Sequence, residues 1–303
     1  MEPHVTAVVV NWNAGDHLFQ CVEALLAQCH VRMDVVVVDN ASSDGSVAQL
    51  DRVDDRVRVV QTGENLGFGR GVNRGVEIAT GTYVMALNPD VKLACDAVAK
   101  LVGYLEGHPR VGLVGPRLSD AFGHVHASCG LAPRLGDEIC RKFLLHLIFP
   151  LFKFRNQRPN KPADVGWVTG ACMVFRRDAI KAVGGFDDAI FMYYEDVDLC
   201  LRLKNMGWDV HYVPEAEGIH LGGESSKQAL TCMLVVSESS YVYFIRKHMG
   251  RMAAMTLVVL RPVEMILRSF LWGSLFLLVP NRRLEAVARL RAYWILLTRS
   301  VSV

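Results

Sequence analysis

Three apolar runs, each closed by Asn or Asp, constrain this chain more than any other feature. Val5–Val10 ends at Asn11-Trp12-Asn13, Val35–Val38 at Asp39-Asn40, and Tyr83–Leu87 at Asn88-Pro89-Asp90. Runs that are apolar on both alternating faces suit strands buried on both sides, the condition of a parallel sheet covered by helices. Helical patterns lie between them: Asp16 to Gln28, with Leu18, Val22, Leu25 and Leu26 on one face and Asp16 as cap; Gly67 to Ala79; and Cys95 to His108. Val57–Val60 and Val111–Val114 read as further strands. This alternation predicts an α/β class, a Rossmann-like, mostly parallel sheet flanked by helices. In such sheets a ligand binds beyond the carboxyl ends of the strands. Asn11, Asn13, Asp39, Asn88 and Asp90 all stand there.

The second half is less regular. The stretch 133–163 breaks the alternation, and within it residues 141–155 are apolar with basic flanks. That segment is too short to span a bilayer and reads as an interfacial or acceptor-facing loop. Trp167–Phe175 resumes as one strand, Val210–Val213 as another, and His220 opens a glycine-rich loop. Between them, Gly184-Gly185 leads through Phe191-Met192-Tyr193-Tyr194 into Glu195-Asp196-Val197-Asp198. A helix starts there, with Asp198 and Arg202 spaced to pair and Val197, Leu201 and Met206 near one face. Its first turn holds Glu195 and Asp196, where free N–H groups favour anions.

Charge is unevenly spread. From Arg246 onward ten Lys/Arg stand against Glu264 and Glu285, a balance of +8 on a chain whose net charge is +2. A basic, apolar end on an acidic body points to an anionic membrane surface rather than nucleic acid. Residues 252–279 carry Arg261, Glu264 and Arg268 as one polar stripe, with Pro262 interrupting the run. The expectation is amphipathic helices lying in a membrane interface rather than a clean span. Eight scattered cysteines without a Cys-x-x-Cys pair indicate a reducing, cytoplasmic compartment and no structural zinc. The N-terminus runs directly into a strand, so no signal peptide is expected.

The strand-end residues suit definite chemistry. Asp39 can accept hydrogen bonds from a base or a ribose. Asp90 offers a hard oxygen to a divalent ion bridging phosphates, and His220 a neutral imidazole to the same ion. Asp196 can take a proton from an acceptor hydroxyl. The glycine-rich run Asn65–Gly75 follows the third strand rather than the first, so it is not a dinucleotide fingerprint. It reads as a helix start that lets backbone approach a nucleotide.

Taken in order, Val10-Asn11-Trp12-Asn13, Val38–Ser46, Asn65–Gly69, Asn73-Arg74-Gly75, Leu87–Asp90, Thr169-Gly170-Ala171 and Gly184–Leu203 resemble the family 2 glycosyltransferases of GT-A fold over about residues 5–245, closest to the bacterial rhamnosyltransferase branch. The resemblance implies Asp196 as the inverting base. It implies Asn11, Asn13, Asp39, Asn65, Asn73 and Asn88 at the nucleotide, with Asp90 and His220 at a divalent metal, Mg²⁺ or Mn²⁺. Trp167, Gly170, Ala171 and Glu195 fall on the acceptor side. Asn88 stands where the family's metal motif has its first acid, which leaves Asp90 as the main protein ligand. The expected division is a glycosyltransferase domain over 1–248, with a nucleotide half to 116 and an acceptor half from 117, followed by membrane-associating helices over 249–303. The implied reaction moves a sugar, L-rhamnose from dTDP-rhamnose, to a polyprenyl-diphosphate-linked saccharide at the cytoplasmic face of the inner membrane. A UDP- or GDP-hexose donor, and a non-catalytic sugar-nucleotide-binding protein, are the alternatives.

Overall fold

The computed structural model describes residues 2–50, 54–145, 156–157, 159–221 and 229–298. Contacts divide the chain into two compact units. The first comprises Met1–Ala132, Asn156–Phe191 and Glu195–Ser225; the second comprises Pro133–Arg155, Met192–Tyr194 and Ser226–Val303.

In the first unit β1 (His4–Asn11), β2 (Arg32–Asp39), β3 (Val57–Gln61) and β4 (Tyr83–Leu87) run parallel in the order β3-β2-β1-β4. Alternation along β1 supplies both faces. Val5, Ala7 and Val9 join the core formed by α1 (Asp16–Leu26) and α3 (Ala97–Gly107), through Leu18, Val22, Leu101 and Leu105. Val8 and Val10 face α2 (Phe68–Ile78), which approaches so closely that a Cβ on Gly75 would lie 2.2 Å from Val8 Cγ1. The glycines of α2 are thus a packing requirement, which explains a helix in a sequence of poor helix propensity. Gly15, not Asp16, occupies the cap position of α1, and its N–H donates to Asp44 Oδ2 at 2.7 Å.

The sheet then becomes mixed. After β5 (Val91–Leu93), β6 (Val111–Ser119), β7 (Cys129–Gly130), β8 (Asn156–Gln157), β9 (Ala163–Asp164), β10 (Trp167–Val168), β11 (Cys172–Arg176) and β12 (Asp209–His220), the spatial order continues β4-β11-β6-β12-β5, with β9 on β12. β11 is antiparallel to both β4 and β6, and β12 is parallel to β6. The single strand expected over Trp167–Phe175 is two: β10 pairs with β7 in a small second sheet, and β11 enters the main one. Thr169–Ala171 bridges them, its Thr169 N–H donating to Ser128 O. β12 runs further than its apolar core, because an irregularity between Val213 and Glu217 lets it continue beside β6. His220, expected on a loop, is therefore its last strand residue.

α5 (Arg177–Ala182) and α6 (Glu195–Asn205) complete this unit. Along α6, Val197, Leu199, Cys200 and Leu203 are buried, whereas Met206 is exposed beyond its end. Asp198 is fully buried and accepts a 2.7 Å hydrogen bond from Arg202 Nε, as the spacing predicts.

The second unit is helical: α4 (Leu135–Lys142), α7 (Leu230–Met249), α8 (Arg251–Leu278) and α9 (Arg283–Thr298). Of the described basic residues of the 141–155 segment, Arg141 is half-buried and Lys142 is fully buried. Lys142 is 1 % exposed, with Nζ 2.7 Å from Glu264 Oε2 and 3.1 Å from Glu238 Oε1. Arg141 pairs with buried Glu138, which also accepts from the Tyr241 hydroxyl. Residues 146–155, the rest of that segment, lie outside the described residues. α8 continues through Pro262 as one helix. Its polar stripe points inward: Arg261 and Glu264 are buried, and Arg268 donates to Glu264 at 2.9 Å. Burial alone would raise the Glu264 carboxyl, but Lys142, Arg268 and Arg141 outweigh it and hold it below the usual range. Among the described residues no helix is long and apolar enough to cross a membrane.

Candidate active site

The site grows from the register of the central strands. Asn11 and Asp39 are paired residues at the ends of β1 and β2. Asn11 is fully buried, and its amide nitrogen lies 2.8 Å from Asp39 Oδ1, 2.9 Å from Ser46 Oγ and 3.0 Å from Ser42 Oγ. Ser42 Oγ also donates to Asp39 Oδ1 at 2.5 Å. Asn13, in the left-handed region at φ 51, accepts the Ser43 N–H at 2.8 Å. The turn after β2 is thereby stitched to the end of β1. Asn11 acts as the strut of this network, and Asp39 is held at its rim.

Beside it, Asn65 Oδ1 accepts the Gly67 N–H at 3.0 Å, and Asn40 Nδ2 donates to Gly67 O at the same distance. Gly67 stands at φ 82, and a Cβ there would lie 2.0 Å from Phe191 O, which accepts the Phe68 N–H. The start of α2 and the chain before α6 are thus locked together through backbone. The amide of Asn73, expected at a nucleotide, is occupied by that same loop. It donates to Phe186 O at 2.9 Å and to Asp188 Oδ1, and accepts from Phe186 N–H at 2.8 Å.

The end of β4 adjoins the start of α6. Asn88 N–H donates to Ala171 O, so the turn after β4 and the Thr169–Ala171 bridge are neighbours. Gly170 N–H in turn donates to Asp196 Oδ2 at 2.9 Å, and Val197 N–H to Asp196 Oδ1 at 2.8 Å. Asn88, Gly170, Ala171 and Asp196 are therefore one hydrogen-bonded series across three elements. Trp167 precedes them on β10, paired with Gly130.

Glu195 and Asp196 are adjacent carboxyls with different surroundings. Glu195 is buried and its Oε2 has no hydrogen-bond partner. Burial, then the neighbouring Asp196 charge, pushes its pKa up to about 8. Burial raises Asp196 too, and the N–H groups of Gly170 and Val197 offset this only in part, so its carboxyl stays above the usual range. Hydrogen bonds to the charged form favour that form, and Asp196 has a backbone donor on each oxygen, whereas Glu195 keeps its proton at neutral pH.

Asp90 and His220 meet because β5 runs antiparallel to β12, pairing Val91 with His220, while Leu221 N–H donates to Asp90 O. His220 Nε2 lies 3.3 Å from Asp90 Oδ1, buried and without a hydrogen-bond partner. An imidazole nitrogen and a carboxylate oxygen at that separation fit two neighbouring ligands of one divalent ion, whose bonds of about 2.1–2.2 Å at a right angle put the donors about 3 Å apart. Among the described residues no group of three or more His, Cys, Asp or Glu could hold a metal.

Sequence reading missed three contributors. Ser42 and Ser46 carry the strut network, and the hydroxyl-rich turn after β2 was its visible signal. His126, with its ring centroid 5.7 Å from that of His220, gave none, because only the fold brings β12 beside its loop.

Comparison with known proteins follows this geometry. A sequence model described as "Glycosyl transferase family 2" matches residues 6–184, and one described as "Glycosyl transferase family group 2" matches 151–301. The chain is 32% identical over 264 residues to the N-acetylglucosaminyl-diphospho-decaprenol L-rhamnosyltransferase of Mycobacterium tuberculosis, covering 80% of this chain and 84% of that protein. It is 30% identical over 164 residues to the rhamnosyltransferase WbbL of Escherichia coli K12, covering 51% and 60%. Among solved structures it is similar in fold to the mannosyltransferase PcManGT of Pyrobaculum calidifontis, in complex with GDP-Man and Mn²⁺, with TM-score 0.59, 18% identity and coverage of 98% and 88%.

Proposed function

The chain belongs to glycosyl transferase family 2, near its rhamnosyltransferase branch, and from that premise we propose that this glycosyltransferase is an inverting, metal-dependent enzyme. In this reading it moves L-rhamnose from dTDP-L-rhamnose to a hydroxyl of a polyprenyl-diphosphate-linked saccharide in cell-surface polysaccharide synthesis. The observation that carries the reading is the environment of Asp196: a carboxyl whose two oxygens accept backbone N–H groups at a helix start, beside a neutral Glu195. The choice of rhamnose and of a lipid-linked acceptor rests on the names of the relatives, the first of which is a decaprenol-linked rhamnosyltransferase.

The chain's own residues have these roles. The rim of Asp39, with Asn13, Asn65 and Asn88 around it, receives the nucleoside end of the donor. Asn11 and Asn73 position that rim and the loop before α6 from behind. Asp90 and His220 would hold a divalent cation, Mg²⁺ or Mn²⁺, which when bound supplies positive charge to the departing diphosphate. Trp167, Gly170, Ala171 and Glu195 border the acceptor. Asp196 takes the proton of the acceptor hydroxyl as its oxygen bonds to the anomeric carbon. The bond from that carbon to the diphosphate oxygen breaks with its electron pair going to the nucleotide, and the configuration inverts. Residues 249–303 keep the enzyme at the cytoplasmic face of the membrane, where a lipid-linked acceptor is found.

A thermal-shift series with dTDP-, UDP- and GDP-sugars, with and without Mn²⁺ or Mg²⁺, tests the donor and the metal. A ligand at about 100 times its Kd adds about 2.7 kcal/mol of stability. dTDP-rhamnose with the ion should produce the largest shift, and stabilisation by UDP- or GDP-sugars alone would overturn the rhamnosyl assignment. Asp196→Asn should keep that shift and lose transfer by about 10²–10⁴-fold. Transfer at the wild-type rate in that variant would remove Asp196 as the base.

A further inference from the structure

The helix α8 is amphipathic the wrong way round for a water-soluble protein. Ala254, Leu257, Arg261, Glu264 and Arg268 form its inner face, and Glu264 is tied to Arg268 on the same helix, to Lys142 of α4 and, through Lys142, to Glu238 of α7. About 200° around the axis, at 100° per residue, lies an outer stripe of Met252, Met255, Val259, Val263, Ile266 and Phe270. Val259 and Phe270 are 74 % and 75 % exposed. Leu277 and Leu278 extend the stripe to the helix end.

Three further observations identify what covers this face. First, the exposed positions from Met252 to Leu278, about 40 Å of helix, include no charged residue. Second, the two hydroxyls on that side are satisfied within the helix: Thr256 Oγ1 donates to Met252 O and Ser274 Oγ to Phe270 O. A helix that meets hydrocarbon must close its polar groups in this way. Third, both ends are cationic. Arg246, Lys247 and Arg251 stand exposed before the stripe and Arg282 and Arg283 after it, while Glu264, the one acid between Arg246 and Arg283, is buried. A scattered exposed Leu needs no explanation, but a continuous apolar face of this length does.

We propose that the outer face of α8 lies flat in the surface of a bilayer containing anionic lipid, with its arginine ends on the headgroups and its inner charges locked to the protein. The proposal rests on the membrane-surface part of the function above and specifies the element that docks. α8 lies on the bilayer rather than through it. Arg261, Glu264 and Arg268 would enter hydrocarbon in a spanning helix, and the link from Lys142 to Glu264 opposes any rotation of that side outward.

The test is sedimentation of the full chain with vesicles of phosphatidylcholine alone and with added phosphatidylglycerol. The wild type should partition onto both, more strongly with the anionic lipid and less so as salt rises. The triple variant V259Q/V263Q/F270Q should bind vesicles about a hundredfold more weakly, because three apolar side chains lose their burial, while its donor-induced thermal shift stays unchanged. R251Q/R282Q/R283Q should lose the preference for phosphatidylglycerol and keep the binding to phosphatidylcholine. If the wild type binds vesicles and the triple variant binds equally well, this face is not the docking element and the membrane reading stands. If the wild type binds neither vesicle, both fall. A wild-type dimer that the triple variant dissociates, without vesicle binding, would mean that the face pairs two copies and would overturn the proposal.

Discussion

Glu195→Gln should abolish a loss of stability that the wild-type chain undergoes as pH rises. The Glu195 carboxyl moves from an ordinary value of 4.5 to about 8 on folding, first through burial and then through the charge on Asp196. Its Oε2 atom is buried without a hydrogen bond, so little offsets the cost of burying the ionised form. Below pH 4.5 both folded and unfolded chains hold the proton, and the group leaves stability unchanged. Between 4.5 and about 8 the folded chain binds more protons than the unfolded one, so stability falls with rising pH. At 1.36 kcal/mol per pKa unit the whole interval is worth on the order of 5 kcal/mol. For a unit of this size that is roughly 10–20 °C in Tm. Glutamine keeps the shape of the protonated acid and cannot ionise. Thermal unfolding followed by circular dichroism across this range should show the wild-type midpoint falling and the variant's nearly level by comparison. An equal slope in both proteins, or a wild-type midpoint that rises with pH, would refute the idea that Glu195 is folded in its neutral form.

Two further outcomes follow from the packing. Lys142→Met leaves half-buried Glu238 and buried Glu264 with less positive charge, and should destabilise the helical unit by about 3–5 kcal/mol in urea titrations; a change below about 1 kcal/mol would mean that Arg268 and Arg141 suffice to neutralise Glu264. Gly67→Ala forces a side chain into the left-handed region and against Phe191 O. It should cost about 2–4 kcal/mol and loosen the protection of the Phe68 amide in hydrogen exchange, whereas unchanged protection would show that the loop before α6 can yield.

Much of the parallel half of the sheet could be read from the chain. Strands buried on both faces must be apolar throughout, so β1, β2 and β4 announce themselves, and their polar termini fall together at one edge of the sheet. The Asp198–Arg202 pair is equally local, since helical spacing alone brings the two together. Other features were not readable, for a common reason: they depend on neighbours distant in sequence. The break between β10 and β11 comes from a second sheet that claims Trp167. The place of His220 beside Asp90 comes from β12 extending past its apolar core to pair with β5. Asn73 carries an amide suited to a nucleotide, and only its proximity to Phe186 and Asp188 commits it to the loop.

The outcome for α8 divides the two sources most sharply. Sequence alone determined that 252–279 carries a charged stripe and an apolar stripe on one helix, and that the region is basic. It did not determine which stripe faces the protein. An amphipathic pattern defines two faces without saying which is inside, and the ordinary expectation puts charge outward. The tertiary structure reverses this, because Lys142, 122 positions before Glu264 in the chain, supplies the buried countercharge that lets the polar side turn inward. Periodicity is a property of one segment; the sign of burial is a property of its partners.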